Sequence, residues 1–299
     1  MICVLLSTFN GEKYLDEQLA SLKRQEGVDL KILVRDDGSK DATVDIIKKW
    51  KLKNPALIDF IQGENIGFAE SFMELVVKAP KADYYAFCDQ DDIWLPNKLK
   101  VAIERLESLK SGIQLYCSNL YVYRDGINEG VWWKNKPVIN LYRGLVQNVS
   151  TGCTMVFNNK LRDLVVSHRP KNLNLHDFWF YHSALLFGNV YFDENAYILY
   201  RQHGLNQIGS KTRVIDKFRS RVRSIRRLGK QHYRENESLQ LLECYQGMIL
   251  NSNLEILKNV AYFRHSLRCR LNLLFSSKYI MNNWFDTLML KIRIILGYL

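Results

Sequence analysis

The 299-residue chain has no Cys-X-X-Cys pair and no Cys/His spacing that would hold zinc. Cys3, Cys88, Cys117, Cys153, Cys244 and Cys269 stand singly, several inside apolar runs. There Cys behaves as a small hydrophobe, and this usage fits a reducing compartment. No uncharged run reaches the length of about 18 residues that a membrane-spanning helix needs. The opening Met-Ile-Cys-Val-Leu-Leu-Ser-Thr lacks the basic segment of a signal peptide and turns polar at Ser7, so it reads as a first strand. There is no internal repeat and no low-complexity linker. A hydrophobic content of 47% excludes a disordered chain. The length allows one large domain with an appendage, or two modest domains.

Acidic residues are scarce in one region only. Residues 1–209 carry 25 Lys+Arg and 25 Asp+Glu, whereas residues 210–299 carry 17 and 6, so the whole net charge of +11 belongs to the second part. Lys211, Arg213, Lys217, Arg219, Arg221, Arg223, Arg226, Arg227, Lys230 and Arg234 crowd one stretch, opposed only by Asp216. Gly and Pro are nearly absent beyond it, which predicts a mostly helical region. This charge shift marks a boundary and points to an anionic partner. A nucleic-acid-binding protein is one alternative; the neutral first part, with its clustered carboxylates, counts against it.

Within residues 1–209, short apolar runs alternate with helical spacing. Residues 2–8, 30–34, 57–61 and 83–88 read as strands. Residues 12–25, about 41–53, 68–78 and 96–109 read as helices, with Asp41 or Ser39 as a cap for the second and Pro96 opening the fourth. This order predicts an α/β fold with a mostly parallel sheet flanked by helices. Ligands bind such sheets beyond the carboxyl ends of the strands. Thr8-Phe9-Asn10, Asp36-Asp37-Gly38 and Asp89-Gln90-Asp91 all fall at those ends. Later residues are less regular: 114–123 and 152–157 read as strands, 141–148 as a short helix, 175–187 as a helix and 191–200 as extended chain.

The most informative stretch is Asp83-Tyr84-Tyr85-Ala86-Phe87-Cys88-Asp89-Gln90-Asp91-Asp92-Ile93-Trp94. A buried strand ends in three carboxylates within four residues. Such like charges raise one another's pKa unless a cation sits among them, and oxygen donors suit Mg2+ or Mn2+. Asp89-Gln90-Asp91 resembles the Asp-X-Asp motif of nucleotide-sugar glycosyltransferases. With the loops above, the first two-thirds of the chain resembles family 2, with the GT-A (Rossmann-like) fold. Residues 88–99, Cys-Asp-Gln-Asp-Asp-Ile-Trp-Leu-Pro-Asn-Lys-Leu, are most similar to a branch rich in bacterial rhamnosyltransferases.

The resemblance implies roles. Thr8, Phe9, Asn10 and Glu12 match the first nucleotide-contact loop. Asp36 matches the carboxylate that accepts the pyrimidine imide N–H, although Asp36-Asp37-Gly38-Ser39 also has the composition of a turn. Asn65 and Gly67 match a segment beside the donor, with Gly67 allowing close approach; Asn65 equally suits a helix cap. Asp89 is expected near ribose and metal with Gln90 beside it, Asp91 as a direct metal ligand, and Asp92 behind them. His203, in Arg201-Gln202-His203-Gly204-Leu205-Asn206, matches a late metal or diphosphate ligand, against the plainer reading of a structural His.

Asp177 matches the catalytic base; many members have Glu-Asp where this chain has His176-Asp177. His176 is left to assist, bind acceptor or cap the helix. Trp179 and Phe178 stack on a sugar or belong to the core, with core favoured for Phe178. Thr151-Gly152-Cys153 floors the acceptor site or simply starts a strand.

The resemblance thus implies an inverting glycosyltransferase domain over residues 1–209 and a basic helical region over 210–299. The donor would be a pyrimidine nucleotide sugar, dTDP-rhamnose ahead of UDP-hexose, with a divalent metal as cofactor. The acceptor would be a saccharide or lipid-linked saccharide in cell-surface polysaccharide synthesis. A non-catalytic glycan-binding module is a further alternative. In the last helix Phe285, Leu288, Met289, Ile292, Ile295, Leu296 and Leu299 form an apolar stripe. With the basic stretch it predicts a peripheral enzyme on the anionic, cytoplasmic face of the membrane, unless the stripe packs on the catalytic domain or a second subunit. The oligomeric state is open.

Overall fold

The computed structural model describes residues 1–203 and 232–299. The basic stretch therefore lies outside the described residues, except Arg234. Among the described residues nine strands form one sheet: β1 (Ile2–Thr8), β2 (Leu30–Asp36), β3 (Ile58–Gln62), β4 (Tyr84–Cys88), β5 (Ile93–Trp94), β6 (Ile113–Arg124), β7 (Ile127–Val131), β8 (Val156–Asn158) and β9 (Gly188–Arg201). Their order is β3-β2-β1-β4-β8-β6-β9-β5, with β7 paired to β6. The first four strands are parallel, as the apolar runs predict. β8 inserts antiparallel between β4 and β6.

Helices cover both faces: α1 (Leu15–Lys23), α2 (Thr43–Lys53), α3 (Phe68–Lys78), α4 (Lys98–Glu107), α5 (Leu141–Gly144), α6 (Asn159–Ser167) and α7 (His176–Phe187). The alternation along β1 shows why one strand serves two cores. Ile2, Val4 and Leu6 pack with Leu19 of α1, Ile47 of α2 and Leu99 of α4. Cys3 and Leu5 face the other way, toward Phe72 of α3, Leu161 of α6 and Phe180 of α7. Residues 114–120 of β6 are all buried, because both faces of the strand are covered.

Among the described residues four more helices follow: α8 (Tyr233–Cys244), α9 (Asn251–Ala261), α10 (Leu267–Phe275) and α11 (Trp284–Ile295). They are not a separate appendage in packing terms. Leu241, Tyr245, Leu257, Phe263, Leu290 and Ile294 belong to the same buried cluster as Trp179 and Phe180. Tyr245 stacks on Trp179 with centroids 5.8 Å apart and shares a 2.7 Å hydroxyl contact with Ser183. The face of α11 turned into this core is Leu290 and Ile294; of the expected apolar stripe, Leu288, Ile295 and Leu296 are exposed and Leu299 is buried.

Strand register assembles the rim. Thr8 pairs with Asp36, and Leu6 pairs with Cys88, so Asp89 leaves the sheet beside the end of β1. The two-residue β5 runs antiparallel to β9, with Ile93 opposite Leu199. That pairing returns the end of β9 to the carboxylates preceding β5.

Candidate active site

The carboxylate cluster is built by β4, β5 and the end of β9. His203 Nε2 lies 2.7 Å from Asp91 Oδ2, and the ring stacks on Tyr14 at 5.1 Å. The Arg201 backbone N–H donates to Asp92 Oδ1 at 3.1 Å, and its guanidinium Nε donates to the Asp91 carbonyl at 2.8 Å. The loop is therefore held by the end of β9. Burial, then Asp91, then Asp177 raise the Asp89 pKa to about 7. Asp92 is 1% exposed, and burial, then Asp91 and Asp89, push its carboxyl well up. Behind them Lys98 is fully buried, with Nζ 3.5 Å above the Trp94 ring, and burial lowers its pKa to about 8.

These groups fit a divalent cation at the open side. Asp91 and His203 face each other with an oxygen and an imidazole nitrogen, donors that suit Mn2+, and Asp89 adds a crowded carboxylate. Asp89, Asp92 and Cys153 also offer ligand atoms within 4.8 Å of one another. There burial drives the Cys153 thiol well up, so it stays protonated and suits a hard cation poorly.

Asp177 occupies the first turn of α7, 9% exposed. Phe178 N–H donates to its Oδ1 at 2.9 Å and Asn148 Nδ2 to its Oδ2 at 3.3 Å. The helix dipole and these donors favour the anion. Burial outweighs them and raises its pKa to about 7. A 3-10 turn (Gly152–Thr154) presses against this point: a Cβ on Gly152 would lie 3.0 Å from His176 Nε2 and 3.5 Å from Asp177 Cβ. Asp177 in turn contributes to the raised Asp89 pKa, so base candidate and metal candidates share one electrostatic site.

Several expected contacts are corrected. His176 does not face an acceptor: its ring stacks on Phe72 at 4.0 Å, and burial lowers its pKa to about 3, leaving it neutral. Trp179 is 1% exposed beneath Tyr245, with no open face for a sugar, while Phe178, favoured for the core, is the half-buried one. Helix α7 is buried almost all round, so position in its first turn does not mean access.

The first loop is likewise spent on structure. Asp36 is fully buried, and its oxygens accept from Thr8 Oγ1, Ser39 Oγ, Gly38 N and Ser39 N. A carboxylate offers about four such positions, so the turn reading accounts for it and an imide contact has no place. The Gln90 side chain is paired with the Phe9 backbone, N–H at 2.8 Å and carbonyl at 3.0 Å. Asn10 Oδ1 accepts from Lys40 N, and Glu12 Oε2 accepts from Ala42 N at the start of α2. Phe9 alone in this loop is a largely exposed apolar group, at 43%.

Asn65 is exposed and is not the cap of α3; Gly67 occupies that position, at φ 85°. A Cβ on Gly67 would meet open space, so its backbone angle, rather than a close approach, calls for glycine. Asp37 draws this segment in, accepting from Ile66 N at 2.9 Å and Gly67 N at 3.0 Å. Asn148, Tyr14 and Lys98 are site neighbours that motif reading missed. Lys98 lay within the motif; Asn148 and Tyr14 carried no local signal.

The glycosyl transferase family 2 model matches residues 3–209. A dTDP-rhamnosyl transferase, RfbG of Shigella flexneri, is 30% identical over 217 residues, 69% of this chain and 74% of its own length. A UDP-Glc:alpha-D-GlcNAc-diphosphoundecaprenol beta-1,3-glucosyltransferase, WfaP of Escherichia coli, is 27% identical over 156 residues, covering 52% of this chain and 59% of that one. Among solved structures, the mannosyltransferase PcManGT of Pyrobaculum calidifontis, in complex with GDP-Man and Mn2+, superposes with a TM-score of 0.56 at 15% identity, over 99% of this chain and 86% of that one. At that identity the likeness is one of fold, and the fold is GT-A. A sheet whose first four strands are parallel, with carboxylates at the strand ends, and a family match over residues 3–209 make this chain a member of glycosyl transferase family 2.

Proposed function

We propose that the protein is an inverting, metal-dependent rhamnosyltransferase using dTDP-rhamnose. The observation that carries the chemistry is Asp177, a buried carboxylate with its pKa near 7 beside the Asp89–Asp91 cluster. A base poised near the working pH is the efficient one. The acceptor hydroxyl oxygen attacks the anomeric carbon, and the bond from that carbon to the diphosphate oxygen breaks with its electron pair. The hydroxyl proton passes to Asp177. Asp91, His203 and Asp89 would hold Mn2+ or Mg2+, which when bound neutralises charge on the departing diphosphate. The RfbG likeness supports the rhamnosyl donor. The WfaP likeness supports a second reading, UDP-hexose, and a lipid-linked acceptor.

The residues assigned to transfer all fall within 1–209, which the family match supports, and 210–299 form a second, basic part. No helix of the described residues is long and apolar enough to cross a membrane. The region offers instead Leu267, Leu271 and Phe275 exposed four residues apart on α10, and Trp284 and Leu288 on α11. These groups and the net positive charge suit the anionic inner leaflet, where a lipid-linked acceptor lies.

The deciding experiment supplies purified protein with a panel of nucleotide sugars, with Mn2+ or EDTA, and detects nucleoside diphosphate release. Release from dTDP-rhamnose alone, abolished by EDTA, is expected. Release from UDP-glucose alone selects the second donor, and release unaffected by EDTA removes the metal. Phe275→Ser with Trp284→Ser should move the protein from anionic liposomes to the supernatant; unchanged binding rejects this membrane face.

A further inference from the structure

The base is held by a segment that the C-terminal helices grip from two sides. Asn148 sits four residues beyond α5, at the end of a segment that begins with Arg143 and Gly144 in the helix. Its amide orientation is set by its own chain: Oδ1 accepts the Ser150 N–H at 3.0 Å, which turns Nδ2 toward Asp177 Oδ2 at 3.3 Å. Asp177 Oδ1 accepts from the adjoining Phe178 N–H and the Gly152 backbone also donates to the carboxylate, so Asn148 is the side chain that donates to Oδ2.

The same segment is anchored outside the catalytic sheet. Asn282, just before α11, donates its backbone N–H to Gln147 Oε1 at 2.7 Å, and Arg143 Nη1 donates to Asn282 Oδ1 at 3.4 Å. From the other side His182 of α7 lies with Nε2 3.0 Å from the Gly144 carbonyl and Nδ1 2.8 Å from Glu237 Oε1 of α8. Both neighbours are acceptors, and the Glu237 carboxylate outweighs burial to raise the His182 pKa, which favours the protonated ring. Its pair with Glu237 is buried, at 3% and 10% side-chain exposure. Gly144 itself touches α7 closely, since a Cβ there would lie 2.5 Å from Leu185 Cδ1.

We infer that Asn148 is a positioning residue for the base, and that the C-terminal helices set its position through Gln147 and Gly144. This rests on the reading of Asp177 as the base. The helices would then belong to the catalytic apparatus and act beyond membrane contact. Asn148 touches no donor atom in this reading, so its loss acts on the chemical step and leaves donor binding alone.

The test compares Asn148→Ala, Asn148→Asp, Gln147→Ala, Asp177→Asn and the double variant Asn148→Ala/Asp177→Asn in the full chain, with circular dichroism to confirm folding. Asn148→Ala should lower kcat about ten-fold, the scale of one hydrogen bond at a transition state, with donor KM unchanged. Asn148→Asp keeps an acceptor for Ser150 N–H and so preserves the turn. It sets a carboxylate against Asp177, and kcat at neutral pH should fall at least as far and recover as pH rises. The other charged groups acting on Asp177, Glu237 from α8 and Asp89 from the end of β4, are unaltered in that variant. Gln147→Ala should lower kcat by a few-fold in the same direction.

The double variant should be no slower than Asp177→Asn. Normal kcat in Asn148→Ala with an inactive Asp177→Asn overturns this inference and leaves the base reading standing. A fully active Asp177→Asn overturns both. Additive losses, or a donor KM that rises with the fall in kcat, show Asn148 acting elsewhere and overturn the inference. Unchanged kcat in Gln147→Ala removes the C-terminal helices from it.

Discussion

The two carboxylate-rich corners of the strand-end rim differ in how their oxygens are used. Around Asp36 and Glu12 every named carboxylate is met by donors from its own loops, a closed network linking residues 8–12 to 36–43. Around Asp89, Asp91 and Asp177 the charges are crowded instead: burial, with repulsion from Asp91 and Asp177, lifts the Asp89 pKa to about 7, and burial, with repulsion from Glu237, lifts that of Asp177 to about 7. Motif position treats both corners alike. Hydrogen-bond saturation separates them: a closed network is a finished piece of architecture, whereas a crowded one has capacity for a proton or a cation.

Asp177→Asn attacks this contrast most strongly. It should lower kcat by about 10²–10⁴-fold, the contribution of a positioned base, while donor affinity stays close to normal. The same variant should be more stable than the parent at pH 8. Asp177 holds its proton to about pH 7 in the fold against an ordinary value of 3.8, so the wild type loses stability as pH rises through that window. The variant lacks this loss, and thermal unfolding at pH 5 and pH 8 checks it. A variant that is slower but equally pH-sensitive in stability would separate catalysis from the buried charge.

Asp91→Asn should lower transfer by about 10²-fold, as for one electrostatic element removed beside a developing anion, and weaken Mn2+ binding measured by calorimetry. Unchanged Mn2+ affinity would move the metal away from Asp91 and His203.

With donor and metal saturating, kcat of the parent should rise with pH and level off above about 7, because metal bound at Asp89 displaces the proton there and leaves Asp177 to titrate. A profile already flat from pH 5 would contradict the buried base.

The smallest effect belongs to the closed corner. Thr8→Val removes the 3.1 Å bond to Asp36 and should cost about 1 kcal/mol of stability, read as a lower Tm, with kcat nearly unchanged. A large loss of donor affinity there would return the first loop to a direct binding role.

Another pH dependence belongs to the link between α7 and α8. Burial alone would lower the His182 pKa, but the facing Glu237 carboxylate outweighs it and raises the value above the ordinary 6.5. The stability from this pair is therefore full below pH 6.5 and declines as pH rises through the raised value.

Much of the fold was legible in the chain because its signals are local. Apolar runs of strand length, helical spacing between them and a neutral-to-basic shift near residue 210 each follow from contiguous residues. The crowding of Asp89, Asp91 and Asp92 was legible because the three carboxylates fall within four residues, whereas Asp177 was singled out only through the family resemblance. What needed the tertiary structure is what depends on distant partners. His203 meets Asp91 across 112 positions of sequence, and Asn148 meets Asp177 only because the turn at Ser150 aims its amide. Trp179 and Phe178 are adjacent aromatics, and only the docking of Tyr245 decided which is core. Likewise the number of donors reaching Asp36 is a property of two loops folded together, and no local residue pattern encodes it. Composition and periodicity determine which elements form, because those energies are local; hydrogen-bond saturation and desolvation, which separate a structural carboxylate from a reactive one, arise only when the elements pack.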